Sequence, residues 1–152
     1  VNKFAEELLI EEEGRRAQPY WDNLGFVTGG IGHLLDPRKP CPLPEAVIDL
    51  LFDHDFKEKS AQAQQIPGFM RLNEIQQAAL ISMVFQLGFE PFDGDGFKDF
   101  RDMMAALARG DVKRAAAEGL DSKWAKKDTP RRAQRQMKML ETGVWVPWST
   151  FT

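Results

Sequence analysis

Cysteine and histidine are scarce in this chain: Cys41 is alone, and His33 and His54 are the two histidines among 152 residues. A lone thiol excludes an intrachain disulfide, and so few soft ligands make a structural zinc site improbable. Long apolar runs are missing too. Ala78-Ala79-Leu80-Ile81 resumes after Ser82 as Met83-Val84-Phe85, far short of the roughly 20 residues a membrane helix needs. Positive charge is not in excess, and a formal net charge of −3 argues against general nucleic-acid binding. Five glutamates within residues 6–13 are incompatible with an ordinary signal peptide, so synthesis in the cytosol is expected. No repeat or low-complexity tract interrupts the chain.

What is present suits one folded domain. Hydrophobic residues make up 43% and charged residues 28%, with eleven phenylalanines, and a chain of this length buries about two-thirds of its unfolded surface. Phe4, Ala5, Leu8 and Leu9 form one stripe of a helix over 2–13, and Gly14 stands where a left-handed residue often ends one. Over 15–35, Tyr20, Trp21, Phe26, Val27 and Thr28 alternate with glycines and Asn23, which predicts two or three short strands. DPRKPCPLP (36–44) reads as a connector, with Pro44 opening a helix over 44–65. Asn73 and Gln76 have capping-box spacing before an apolar helix that ends near Gly88. Helices follow over Phe97–Leu107, closed by Gly110, and over 112–118, capped by Asp111. A last one runs from Thr129-Pro130 to Gly143, and Trp145 and Trp148 are expected to pack back onto the core. A small β lobe with helices around it is an α+β arrangement, predominantly α.

Candidate chemistry begins at EEEGRR (11–16). Glu11, Glu12 and Glu13 share the last turn of the first helix, where the dipole disfavours a carboxylate by about 0.3–1 kcal/mol and favours a retained proton. A protonated carboxylic acid is what a general acid requires. Asp22 lies beside a turn, where ordinary Asx hydrogen bonding is the competing explanation, and the Thr28 hydroxyl could fix a water. An acid, a carboxylate and a water-holding hydroxyl are the parts of an inverting glycosidase, although spacing alone does not choose among the three glutamates. FDGDGF (92–97) lacks the EF-hand glycine position and reads as a turn. Residues 123–138 gather Lys123, Lys126, Lys127, Arg131, Arg132, Arg135 and Lys138 against Asp128, either a solvated face or a basic rim for an anionic polymer.

The stretch EGRRAQPYWDNLGFVTGGIGHLL (13–35) resembles the phage-type lysozymes, or muramidases. Their signature maps onto Glu13-Gly14, Tyr20, Asp22, Thr28, Gly30, Gly32 and His33. AALISMVFQLG (78–88), TPRRA (129–133) and TGVW (142–145) extend the likeness to the T-even members of the family over most of the chain. The resemblance implies a two-lobed lysozyme-like fold within a single domain. Its β lobe would span about 14–43 and its connecting helix about 44–65. The helical lobe would take about 60–152 plus the amino-terminal helix, with the cleft between lobes. It also implies that Glu13 is the general acid and that Asp22, with Thr28, positions the attacking water. The substrate would be bacterial peptidoglycan, cut at the β-1,4 bond from N-acetylmuramic acid to N-acetylglucosamine.

Arg132 matches an arginine that pairs with the catalytic glutamate, and His33 matches one half of an ion pair with Asp55. Leu34, Phe85 and Gln86 match cleft positions, with core packing as their alternative role. No cofactor, metal, nucleic acid or membrane insertion is implied, and a monomer is expected. A phage endolysin of this kind would be made in the host cytoplasm, act on the periplasmic wall and need a holin-type partner for release. Two departures stand out. Gly29 replaces the usual Ile, which should loosen the strand carrying Thr28, and the connector from His33 to Asp55 is short, which should shrink the β lobe. A lytic transglycosylase and an inactive wall-binding module are the competing readings.

Overall fold

A computed structural model describes residues 8–12, 14–90 and 100–151. Glu13 and the FDGDGF turn lie outside the described residues, as does most of the amino-terminal helix. The chain divides into two compact units, residues 1–48 and 49–152.

In the first unit, residues 8–12 are helical (α1), and Gly14 ends the helix. Its φ is 70°, and its N–H donates to the Ile10 carbonyl at 3.0 Å. Three antiparallel strands follow, β1 (Arg16–Trp21), β2 (Val27–Gly30) and β3 (His33–Leu34), in the order β1-β2-β3. β2 is central, which is why Thr28 and Gly29 are the buried residues of the sheet. The space beside Gly29 is not empty. Its φ is not left-handed, and a Cβ there would meet Leu35 Cδ1 at 2.8 Å, so the Leu35 side chain fills the space that Ile would need.

DPRKPCPLP is more than a connector. Asp36 is only 1% exposed, and its carboxylate continues the ladder of β3: Leu35 N–H donates to the Val27 carbonyl at 2.8 Å, and Val27 N–H to Asp36 Oδ2 at 2.9 Å. A side chain thus satisfies a strand N–H that would otherwise lack a neighbour. Helix α2 (Glu45–Ala63) starts one residue later than expected. Pro44 is its cap, its carbonyl accepting from the N–H groups of Val47 and Ile48 at 2.9 and 3.1 Å. The boundary between the units falls inside α2.

The second unit is helical. Asn73 caps α3 (Glu74–Leu87) in a complete capping box with Gln76. Asn73 Nδ2 also donates to the Gly143 carbonyl at 3.0 Å, and Gln76 Nε2 to the Leu140 carbonyl at 2.9 Å, so the cap of one helix fastens the end of another. Helix α4 (Arg101–Arg109) stops at left-handed Gly110, and Asp111 caps α5 (Val112–Leu120). Thr129-Pro130 opens α6 (Pro130–Thr142), which stops at left-handed Gly143. Between α5 and α6 the chain makes one π-helical turn, Trp124–Asp128, closed by Thr129 N–H on the Trp124 carbonyl at 2.9 Å. Leu80, Met83, Val84, Met103, Leu107, Met137 and Leu140 form the centre of the core. The observed class is α+β and predominantly helical.

One expectation fails here. Trp145 and Trp148 remain about half exposed, at 57% and 48%. Instead of entering the core they flank the Arg135 guanidinium, at 4.8 and 5.0 Å from their ring centroids, while Arg135 Nε donates to the Val146 carbonyl. Val146, between them, is the residue that packs on the core. A cation-π sandwich holds both rings at the surface at less cost than burying a guanidinium.

Candidate active site

The sequence-derived residues divide between the units. Asp22, Thr28, His33 and Leu34 fall in the first, and Phe85, Gln86 and Arg132 in the second, with Asp55. Glu13 is outside the described residues, while Glu11 and Glu12 are exposed, as a solvated edge would be.

Asp22 closes the β1–β2 hairpin. Its N–H donates to the Phe26 carbonyl at 2.9 Å, and its carbonyl accepts from Gly25 N–H at 3.0 Å. Its Oδ1 accepts from the N–H groups of Leu24 and Phe26 at 2.9 and 2.8 Å. Turn chemistry and a chemical role are therefore compatible, because the turn occupies one oxygen. Among the described residues Oδ2 accepts no hydrogen bond.

Register brings Thr28 into the same field. Tyr20 pairs with Thr28, and Thr28 with Leu34, across the three strands. Side chains alternate along a strand, so Tyr20 and Asp22 share a face with Thr28 and Leu34. Thr28 is 5% exposed, and its hydroxyl donates to the Phe26 carbonyl at 3.4 Å. At that length the bond is weak, and the hydroxyl oxygen keeps lone pairs with which it can accept. His33 is exposed on β3 opposite Gly29.

The residues that motif reasoning passed over are Asp36 and Arg38. Arg38 Nε donates to Asp36 Oδ1 at 2.8 Å and Nη2 to Oδ2 at 2.6 Å, a fork, while Arg38 N–H reaches Oδ1 at 2.9 Å. The Arg38 hydrogen bond holds the Asp36 carboxyl well below the usual carboxylate range, helped by the N–H groups of Val27 and Arg38, and burial opposes them only in part. A lowered pKa contributes stability above the ordinary value near 4 and loses it as pH falls through the lowered one. Replacing Asp36 by Asn is accordingly expected to cost stability at pH 6, with the gap to the parent unchanged down to about pH 4 and narrowing below it toward pH 2. Urea melts at a series of pH values check this, and a gap independent of pH would refute it. An acidic residue after a glycine-rich strand, two positions before an arginine, was the available signal.

In the second unit, Phe85 and Arg132 border one pocket of about 400 Å³, with Phe52, Phe56, Ile81 and Ser82. Phe85 is 39% exposed and tilts against Phe52 at 6.2 Å between centroids. Arg132 Nη2 donates to Ser82 Oγ at 3.1 Å, and Gln136 Nε2 donates to the same oxygen at 2.7 Å. Gln86 lies deeper. Its Oε1 accepts from Trp124 Nε1 at 3.1 Å, and its Nε2 donates to Thr129 Oγ1 at 3.1 Å, so its amide fastens α3 to the π turn.

The basic segment 123–138 is paired with acids in part. Lys123 faces Asp128 at 3.7 Å, Lys126 pairs with Asp121, and Lys138 reaches Glu141 at 3.3 Å. Arg135 is held between the two tryptophans. These are mostly exposed pairs worth little stability each, and they offset three of the seven cations of the segment. Among the described residues no group of His, Cys, Asp and Glu side chains could hold a metal ion.

Comparison with known sequences decides the family. The phage lysozyme family model matches residues 10–141. This chain belongs to the phage lysozyme family. The match spans every site residue named above, Glu13 included. The chain is 27% identical to the pre-baseplate central spike protein of Enterobacteria phage T4 over 93% of its own length, and spans only 28% of that protein. Two probable T4-type lysozymes of Dictyostelium discoideum are 24% and 25% identical, each over 91% of this chain and 94% of the relative. As a phage lysozyme the chain thus corresponds to nearly a whole protein in one relative and to one segment of a larger protein in another.

Proposed function

We propose that this chain hydrolyses bacterial peptidoglycan, cutting the β-1,4 bond from N-acetylmuramic acid to N-acetylglucosamine. Glu13 protonates the departing glycosidic oxygen, and Asp22 with Thr28 positions the water that attacks the anomeric carbon. The observation that carries this reading is the pair of open acceptors on one sheet face. Asp22 Oδ2 accepts no hydrogen bond among the described residues, and Thr28 Oγ1, whose contact with the Phe26 carbonyl is a long 3.4 Å, has lone pairs with which to accept. A water between two acceptors gives each of them one hydrogen, and its lone pairs are left to face the sugar. Asp22 then takes the proton as the bond to carbon forms.

Two settings fit this reading. A free endolysin would be made in the host cytoplasm, act on the periplasmic wall as a monomer and depend on a holin-type partner. The match to part of a spike protein supports a second setting, a wall-cutting module carried by a larger phage protein.

Purified peptidoglycan tests the chemistry. The expected products are fragments ending in a reducing N-acetylmuramic acid, identified by mass spectrometry. Anhydro ends would mean a lytic transglycosylase, and binding without release would mean an inactive wall-binding module. Thr28→Val, nearly isosteric but without the acceptor, is expected to lower the rate of release on the order of 10²-fold. Thr28→Ser should keep most of it. Equal rates for Thr28→Val and Thr28→Ser would remove Thr28 from the mechanism.

A further inference from the structure

The hairpin end that carries Asp22 is exposed: Asn23, Leu24 and Gly25 all face solvent, and Gly25 is left-handed with φ 75°. Hydrogen bonds within the turn define its shape, but an exposed two-stranded end held only by itself opens readily. Arg38 reaches it from thirteen residues beyond Gly25. Its Nη2 donates to the Gly25 carbonyl, and its guanidinium lies 5.8 Å from the Trp21 ring centroid and 5.3 Å from that of Phe26. Trp21 precedes Asp22 on β1, and Phe26 is the residue whose N–H binds Asp22 Oδ1. One guanidinium therefore lies against the last residue of β1, the residue that leads into β2, and the turn between them.

The anchor of that guanidinium is rigid. Asp36 is buried at 1% and holds both Nε and Nη2 of Arg38 while also binding Val27 N–H of the central strand. Arg38 itself is 59% exposed, so its charge remains hydrated and costs little to place. We propose that Arg38, anchored by Asp36, is a positioning residue that fixes the Asp22 turn and so aims Asp22 Oδ2 at the attacking water. The inference rests on the hydrolytic role given to Asp22 above. Arginine is required for geometric reasons. A planar fork serves Asp36 with two donors and still reaches Gly25, whereas an ammonium is a point charge with no such plane. The guanidinium is also held charged above the ordinary arginine value, chiefly by Asp36 and in smaller part by the Asp22 carboxylate, which places Asp22 within its field.

The test uses the full chain with Arg38→Ala, Arg38→Lys, Asp22→Asn and the Arg38→Ala/Asp22→Asn double variant, all assayed well below their melting temperatures. Two readouts are needed. Initial rates on sonicated peptidoglycan should show kcat down about 10- to 100-fold for Arg38→Ala with KM changed less than about two-fold, and only partial rescue by Lys. In the Asp22→Asn background the Arg38→Ala change should cost nothing further, since Arg38 acts through Asp22. A purely structural arginine would lower the rate by the same factor in both backgrounds, which would overturn the proposal. Amide exchange supplies the second readout, independent of activity. The Leu24 and Phe26 N–H groups, both bonded to Asp22 Oδ1, should exchange at least about ten-fold faster in Arg38→Ala, with Arg38→Lys intermediate. Unchanged exchange in Arg38→Ala would refute the clamp even if rates could not be measured. If Asp22→Asn hydrolyses normally while exchange responds as expected, the catalytic role of Asp22 fails and the clamp stands only as a turn lock.

Discussion

Glu13→Gln is expected to abolish release of reducing fragments from purified peptidoglycan, by at least about 10²- to 10⁴-fold, the range that a positioned general acid supplies. Glutamine keeps the size of the side chain and can still donate a hydrogen bond, but it cannot transfer a proton to a glycosidic oxygen. In the proposed mechanism, hydrolysis without that proton must expel an alkoxide, and the water assigned to Asp22 and Thr28 has no partner to complete the reaction. Fold and wall binding should be unchanged, so circular dichroism and co-sedimentation with walls must match the parent. Glu11→Gln and Glu12→Gln are the matched controls. Both residues are exposed, and neither change should alter the rate by more than about two-fold, since exposed charges are well screened. A Glu13→Gln protein that still clears walls would defeat the assignment, and equal losses at all three glutamates would mean that local charge, not a particular acid, matters.

Trp124→Ala is expected to give the largest loss of stability from a single side chain, about 3–5 kcal/mol. Trp124 is 2% exposed, its ring meets Phe100 edge-on at 6.2 Å between centroids, and its N–H satisfies Gln86 Oε1. Alanine leaves a cavity and removes that donor together, and among the described residues the Gln86 amide then keeps its bond to Thr129. For a chain of this size the loss corresponds to roughly 6–20 °C in melting temperature. Trp124→Phe separates the contributions. It retains most of the apolar contact and loses the hydrogen bond alone, about 1–3 kcal/mol. Calorimetry should rank parent, Phe and Ala in that order. A parent-like melting temperature for Trp124→Ala would show that the π turn does not hold α3 and α6 together.

Gln86 shows how much of a side chain's role depends on partners far along the chain. The likeness to the family marked it as a cleft residue, with packing as the alternative. Its partners, Trp124 and Thr129, are 38 and 43 residues away in the chain. The bond that occupies it depends on a π turn that no periodicity announces. The tryptophans of the tail failed for a related reason. Indole area predicts burial, but Arg135, on the preceding helix, offers both rings a cation at the surface. Gly29 was read as a loss because the sequence does not reveal that the Leu35 side chain folds into its place.

By itself the sequence determined what depends on near neighbours along the chain. Helix ends at Gly14, Gly110 and Gly143, the Asn73–Gln76 box, the Asp111 cap and the hairpin register are local, because backbone dihedrals and i to i+3 or i+4 hydrogen bonds set them within a few residues. The same is true of the offset from Asp22 to Thr28, since strand alternation with a tight turn is enough to bring both to one face. Tertiary structure alone decided which acceptors stay open and what braces them. The burial of Asp36, the reach of Arg38 to Gly25 and the link from Gln86 to Trp124 join residues that meet only when separate segments fold together. Their physical basis is competition for hydrogen-bond partners in a space that water has left, and that competition is settled by the whole fold.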